Sequence, residues 1–148
     1  MQLNQSDRSI QTVKELTLEA RVEDLSKVLA FVDEYLETLD CPMKVQMQVD
    51  VAVEEIYVNV ASYAYAPKTG PVTLRLEDAA SPRSVTITFI DHGVPYNRLA
   101  KEDPDITLSA EERKIGGLGI YMVKKSMDKM SYEYTDQQNI LRLTKLLD

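Results

Sequence analysis

The sequence predicts an α/β (α+β) chain folded as a two-layer sandwich: a mostly antiparallel mixed sheet with three helices on one face. Two observations carry this expectation. Alternating apolar and polar stretches come in consecutive pairs joined by short polar turns, which is hairpin spacing. Three other segments repeat their apolar residues every three to four positions, as helices with one buried face do. With 148 residues, 44% of them hydrophobic and 28% charged, the chain has enough apolar side chain for one core, and one domain over 1–148 is expected.

About the first ten residues are expected to be a flexible tail. Glu15 to Ala20 then alternates like a strand. Asp24 is placed to cap a helix whose apolar positions are Leu25, Val28, Leu29, Val32, Leu36 and Leu39, and Asp40-Cys41-Pro42 ends it. A second helix runs from about Met43 to Ala66 on the stripe Val45, Val49, Ala52, Val53, Ile56 and Val60. Pro67 to Pro71 breaks it, and two alternating stretches, Val72 to Glu77 and Ser84 to Asp91, flank the turn Ala80-Ser81-Pro82-Arg83. Tyr96 to Lys114 is polar and irregular, the composition of a lid or binding loop, and the lid is set at about 93–119. Ile120, Val123, Met127 and Met130 mark a third helix face. Tyr132 to Tyr134 and Ile140 to Leu146 close the chain as a hairpin around Asp136-Gln137-Gln138-Asn139.

Composition narrows the function. A formal net charge of -7 argues against binding along a phosphate backbone, so no nucleic acid is expected as a partner. The single Cys41 makes no intrachain disulfide. No apolar run approaches the ~20 residues of a membrane span, and Met1-Gln2-Leu3-Asn4-Gln5 lacks a secretion pattern. A soluble cytoplasmic protein without membrane contact is the expectation.

Three constellations carry chemistry. Glu55 and Asn59 lie one turn apart on the edge of the second helix's apolar stripe, whereas Glu54 points away from it. An amide oxygen there suits Mg²⁺, and a neighbouring carboxylate suits proton abstraction. The same pair also fits a solvated helix surface. Asp91-His92-Gly93-Val94-Pro95 follows a strand, where Asp91 can accept from an exocyclic amine and Gly93 allows a ring to approach; an ordinary turn has the same composition. His92, the one histidine, is expected to face solvent. Gly116-Gly117-Leu118-Gly119 opens a helix, so its backbone N–H groups suit phosphate, with Arg113 and Lys114 adding charge. It lacks the Lys-Ser/Thr of a P-loop and does not follow a strand as a dinucleotide-binding turn does. Of the remaining positions, Lys124, Lys125 and Lys129 read as a solvated face, and Met122, Met127 and Met130 as core or packing surface. Val51 and Val58 read as packing on the first helix or as lining a dimer or partner surface.

Taken in order, these residues resemble the GHKL ATPase superfamily and its Bergerat ATP-binding fold. Glu55-Ile56-Tyr57-Val58-Asn59 matches its N box, Asp91-His92-Gly93-Val94-Pro95 its first glycine box, and Gly116-Gly117-Leu118-Gly119-Ile120 its second. Within that superfamily the chain, from about Glu15 to Leu146, is similar to the bacterial anti-sigma-factor serine/threonine kinases. The resemblance implies ATP and Mg²⁺ as cofactors, Glu55 as general base and Asn59 as Mg²⁺ ligand. It also places Tyr63 (His in many relatives), Asp91, Gly93, Pro95, Lys114, Gly116, Gly117, Leu118, Gly119 and Ile120 at the nucleotide, with Thr144 supporting the Asp91 contact. The implied partners are a sigma factor and a STAS-fold anti-anti-sigma protein phosphorylated on serine, with the kinase a homodimer. The alternative is a non-catalytic regulator that binds ATP or ADP and sequesters a partner.

Overall fold

The computed structural model describes residues 10–100 and 117–148, with the side chains of 13–100 and 119–148. The elements are β1 (Ile10–Glu19), α1 (Leu25–Thr38), α2 (Met43–Tyr63), β2 (Pro71–Ala80), β3 (Arg83–Asp91), α3 (Gly117–Ser126), β4 (Lys129–Thr135) and β5 (Gln138–Leu146). The five strands form one sheet in the order β1-β2-β3-β5-β4, and each neighbouring pair is antiparallel.

Strand parity separates the two faces. Val72, Leu74 and Leu76 of β2, Val85, Ile87 and Phe89 of β3, and Leu141 and Leu143 of β5 point to one side and are buried. There they join Val28, Val32 and Leu36 of α1, Val49, Val53, Ile56 and Val60 of α2, and Ile120 and Val123 of α3 in one apolar cluster. Each such side chain contributes about 1.5–3 kcal/mol by leaving water. The alternate positions form a polar outer face. Arg142 pairs with Glu133 at 2.8 Å, and the Thr17–Thr73 and Thr86–Thr144 hydroxyls meet at 2.8 and 3.0 Å. The predicted two-layer sandwich is thus observed.

Several details differ from the expectation. Asp24 holds the N-cap position of α1 but makes no capping bond; it pairs with Lys27 at 3.6 Å. Asp40 takes a left-handed φ of 52°, which turns the chain between α1 and α2. Met130 lies in β4, not on the third helix, because that helix ends at Ser126. Met122 is exposed. The last hairpin turns on Asp136-Gln137 alone, both at positive φ, so Gln138 and Asn139 belong to β5. Val51 does not pack on α1: with Met43 and Met47 it forms an exposed apolar stripe at i, i+4 and i+8 of α2, 58–70% exposed.

Candidate active site

Glu55, Asn59 and Tyr63 sit at i, i+4 and i+8 of α2, so one face presents all three. Ile56 and Val60, both fully buried, each follow one of these residues by a single position, about 100° round the helix, and anchor the adjoining face in the core. Glu55 and Tyr63 are exposed and Asn59 is half-buried. The first turn of α3 comes against this face. A Cβ on Gly119 would lie 2.6 Å from the Glu55 carboxyl carbon, so a larger residue there would push the acid aside.

The second half of the site forms where β3 ends. Asp91 is 2% exposed, and its Oδ1 accepts from the Gly93 N–H and from Asn139 Nδ2, both at 2.9 Å. No described residue donates to Asp91 Oδ2. Asn139 is the hub: its Nδ2 also reaches the Gly93 and Val94 carbonyls at 3.3 and 3.0 Å. Its Oδ1 accepts from Tyr96 N–H at 3.1 Å and from the Tyr132 hydroxyl. Tyr65 ties this loop to the sheet, accepting from His92 N–H at 2.7 Å and donating to the Pro71 carbonyl at 2.6 Å. Gly93 is required by contact with α2's end rather than by a ring. A Cβ there would lie 2.7 Å from the Ala64 carbonyl carbon, and Val94 N–H donates to the Ala64 carbonyl at 3.2 Å. His92 faces solvent, as expected.

Between the two halves lies Arg98, on the short 3₁₀ turn Arg98–Ala100. It is 4% exposed, its Nε donates to Asn59 Oδ1, and its guanidinium lies 5.3 Å over the Tyr96 ring. Burial pushes its pKa below arginine's usual value, while the charge of Asp91 opposes that shift. It nonetheless stays protonated.

The structure therefore brings together Glu55, Asn59, Tyr63 and Gly119, and separately Asp91 and Gly93. Thr144 is a correction. It pairs with Thr86, whereas Asp91 pairs with Asn139. Five positions along a strand span about 17 Å and, being an odd number, reverse the face. Thr144 thus lies far from Asp91, on the sheet's outer side. The Ile120 side chain is buried in the core, so only its backbone can serve a ligand. Pro95 is exposed beside the Asp91 loop. Gly117 begins α3; Lys114, Gly116 and the Leu118 side chain lie outside the described residues.

Asn139, Tyr65 and Arg98 were not anticipated. The inward alternation Asn139, Leu141, Leu143 is the signal that would have found the first, once β5 is extended to Gln138. Arg98 has no periodicity or motif to mark it. The residues present fit a purine nucleotide. They offer a buried carboxylate with an available oxygen, a half-buried amide oxygen, and a helix start whose glycine lies against an acid.

Comparison with known proteins agrees. Residues 18–145 match the histidine kinase-like ATPase domain, and the chain belongs to that family, whose ligand is ATP. Among curated proteins it is similar to serine/threonine-protein kinase BtrW of Bordetella bronchiseptica. The two are 25% identical over 101 residues, which is 68% of this chain and 70% of that protein. Among solved structures it shares its fold with the RsbU and RsbW domains of Rv1364c from Mycobacterium tuberculosis, with a TM-score of 0.66 at 16% identity. That match covers 93% of this chain but only 33% of the solved one. No described helix is long and apolar enough to cross a membrane.

Proposed function

We propose that the protein is an ATP- and Mg²⁺-dependent serine/threonine protein kinase that acts as an anti-sigma, partner-switching regulator and phosphorylates a STAS-fold protein. The observation that carries this reading is the Glu55–Gly119 juxtaposition, which sets a carboxylate at the start of a helix. A helix start attracts phosphate, so an acid beside it can meet both the acceptor hydroxyl and the γ-phosphate. Bound ATP–Mg²⁺ supplies the transferable phosphoryl group. Asp91 Oδ2 would accept from the adenine amine, and Asn59 Oδ1 would hold Mg²⁺. Glu55 takes the serine hydroxyl proton as the oxygen attacks, and the phosphorus–oxygen bond to ADP breaks.

The relative named a serine/threonine-protein kinase supports the activity class. The exposed stripe Met43, Met47, Val51 supports protein binding, since a row of large apolar side chains on one helix face gains from being covered. The proposal includes a homodimer and a cytoplasmic location. A second reading, an ATP-sensing regulator without turnover, is favoured by one observation: Arg98 engages the amide oxygen that Mg²⁺ would use.

The test is transfer of label from γ-labelled ATP to a STAS-fold protein from the same genome, with Glu55→Gln as control. Transfer by wild type, reduced at least about a hundredfold in the variant, supports the kinase. ATP binding without transfer supports the second reading. Equal transfer by both proteins overturns the role of Glu55.

A further inference from the structure

Arg98 is a buried cation, and its place is fixed on both sides. Leu99 N–H donates to Asn97 Oδ1 at 2.9 Å, and Ala100 N–H to the Asn97 carbonyl at 3.2 Å, which shapes its turn. Just upstream, Tyr96 N–H is held by Asn139 at 3.1 Å, and the Tyr96 ring lies under the guanidinium. The loop that carries Asp91 and Gly93 thus ends in a cation directed at Asn59, across the site on α2.

The contacted atom decides what this means. Asn59 Oδ1 is the amide oxygen available for Mg²⁺, and a Mg²⁺ ion sits about 2.1 Å from such an oxygen. A carbonyl oxygen has two lone pairs, so geometry alone would permit both partners. Charge disfavours it: a divalent ion and a guanidinium on one half-buried oxygen would lie within a few ångströms of each other. Each occupancy therefore weakens the other.

We infer that Arg98 is a specificity-determining residue that competes with Mg²⁺ for Asn59, and so sets how much Mg²⁺ nucleotide binding requires. This rests on the reading of Asn59 as the Mg²⁺ ligand. Without Mg²⁺ the Arg98–Asn59 bond persists and nucleotide is held from the adenine side alone. With Mg²⁺ the bond breaks, and the fraction of molecules already free of it scales the apparent affinity.

The test compares wild type with Arg98→Met, which keeps the apolar stem. ATP binding is measured calorimetrically in EDTA and across a Mg²⁺ titration. The variant is expected to match wild type in EDTA and to reach half-saturation at roughly tenfold lower Mg²⁺. An unchanged Mg²⁺ requirement overturns the inference and leaves the kinase reading intact. So does weaker binding both with and without Mg²⁺, which would make Arg98 a phosphate ligand. A wild type that binds no nucleotide under either condition removes the kinase reading itself, and this inference with it. Should the variant fail to fold, the Arg98 Nε–H resonance of ¹⁵N-labelled wild type decides. It should hold its position with ATP in EDTA and move when Mg²⁺ is added; a resonance indifferent to Mg²⁺ overturns the inference.

Discussion

Asn139 Nδ2 donates to Asp91 Oδ1 at 2.9 Å from the position directly opposite it in the β3–β5 ladder. That bond, with the Gly93 N–H on the same oxygen, fixes the carboxylate's rotation and leaves Oδ2 without a described donor. A buried carboxylate with one oxygen committed is a directional acceptor, and direction is what separates an amino-purine from an oxo-purine.

Asn139→Ala removes one of the two donors to Asp91 Oδ1 and strands two loop carbonyls, the Tyr96 N–H and the Tyr132 hydroxyl. Leaving buried polar groups unpaired costs about 1–3 kcal/mol, read as a lower urea midpoint at unchanged slope. ATP affinity should fall roughly tenfold or more by calorimetry. Thr144→Ala, on the outer face, should leave that affinity alone; the opposite pattern would contradict the placement of both residues.

The same substitution at two glycines should behave oppositely. In Gly119→Ala the new methyl meets the movable end of Glu55. The fold should keep or gain up to about 1 kcal/mol, since Ala is the better helix former, while phosphoryl transfer drops as the acid is pushed aside. In Gly93→Ala the methyl meets the Ala64 backbone, which cannot step away, so a thermal melt should show a loss of several degrees.

Tyr65→Phe removes one hydroxyl with two backbone partners. A stability loss of about 1 kcal/mol is expected, with weaker ATP binding because the end of β3 is no longer tied to β2. Unchanged binding would show that the Asn139 network suffices by itself.

Stability should also depend on pH through the α1–α2 interface. The Asp50 carboxyl is pushed up to about 7, first by burial and then by the hydrogen bond and charge of Asp33. Its Oδ1 is buried with no described partner. The folded protein therefore keeps a proton that the unfolded chain releases near pH 4, so this group's contribution is full below about pH 4, declines to about pH 7 and is absent above. Asp50→Asn should flatten that decline and raise the melting temperature at pH 8 by about 2–4 °C. A variant that melts like wild type at pH 8 would refute the assignment.

Much of this was legible in the sequence because periodicity records burial. The α2 stripe, the β2–β3 hairpin and the choice of Glu55 over Glu54 all follow from counting residues around a helix or along a strand. The place of Thr144 comes from the family resemblance, which fixes no strand register, and one position of slip exchanges the two faces. Asn139 looks like turn by pattern, because Asp136-Gln137 adopts positive φ without a glycine to signal it. Arg98 and Tyr65 owe their roles to partners 39 and 27 residues away, a distance at which local pattern is silent.

The strand order also has a consequence for how the molecule comes to exist. β5 is wedged between β3 and β4, so Asp91 meets a partner 48 residues downstream. Closing so long a loop is entropically slow and is rewarded only when the last strand docks. On a ribosome, the β2–β3 hairpin and α2 can collapse while Asp91 still lacks its Asn139 partner. If Asp91 serves the nucleotide, capture waits until β5 has been made and docked, and a molecule able to hold ATP has, by that fact, closed its sheet.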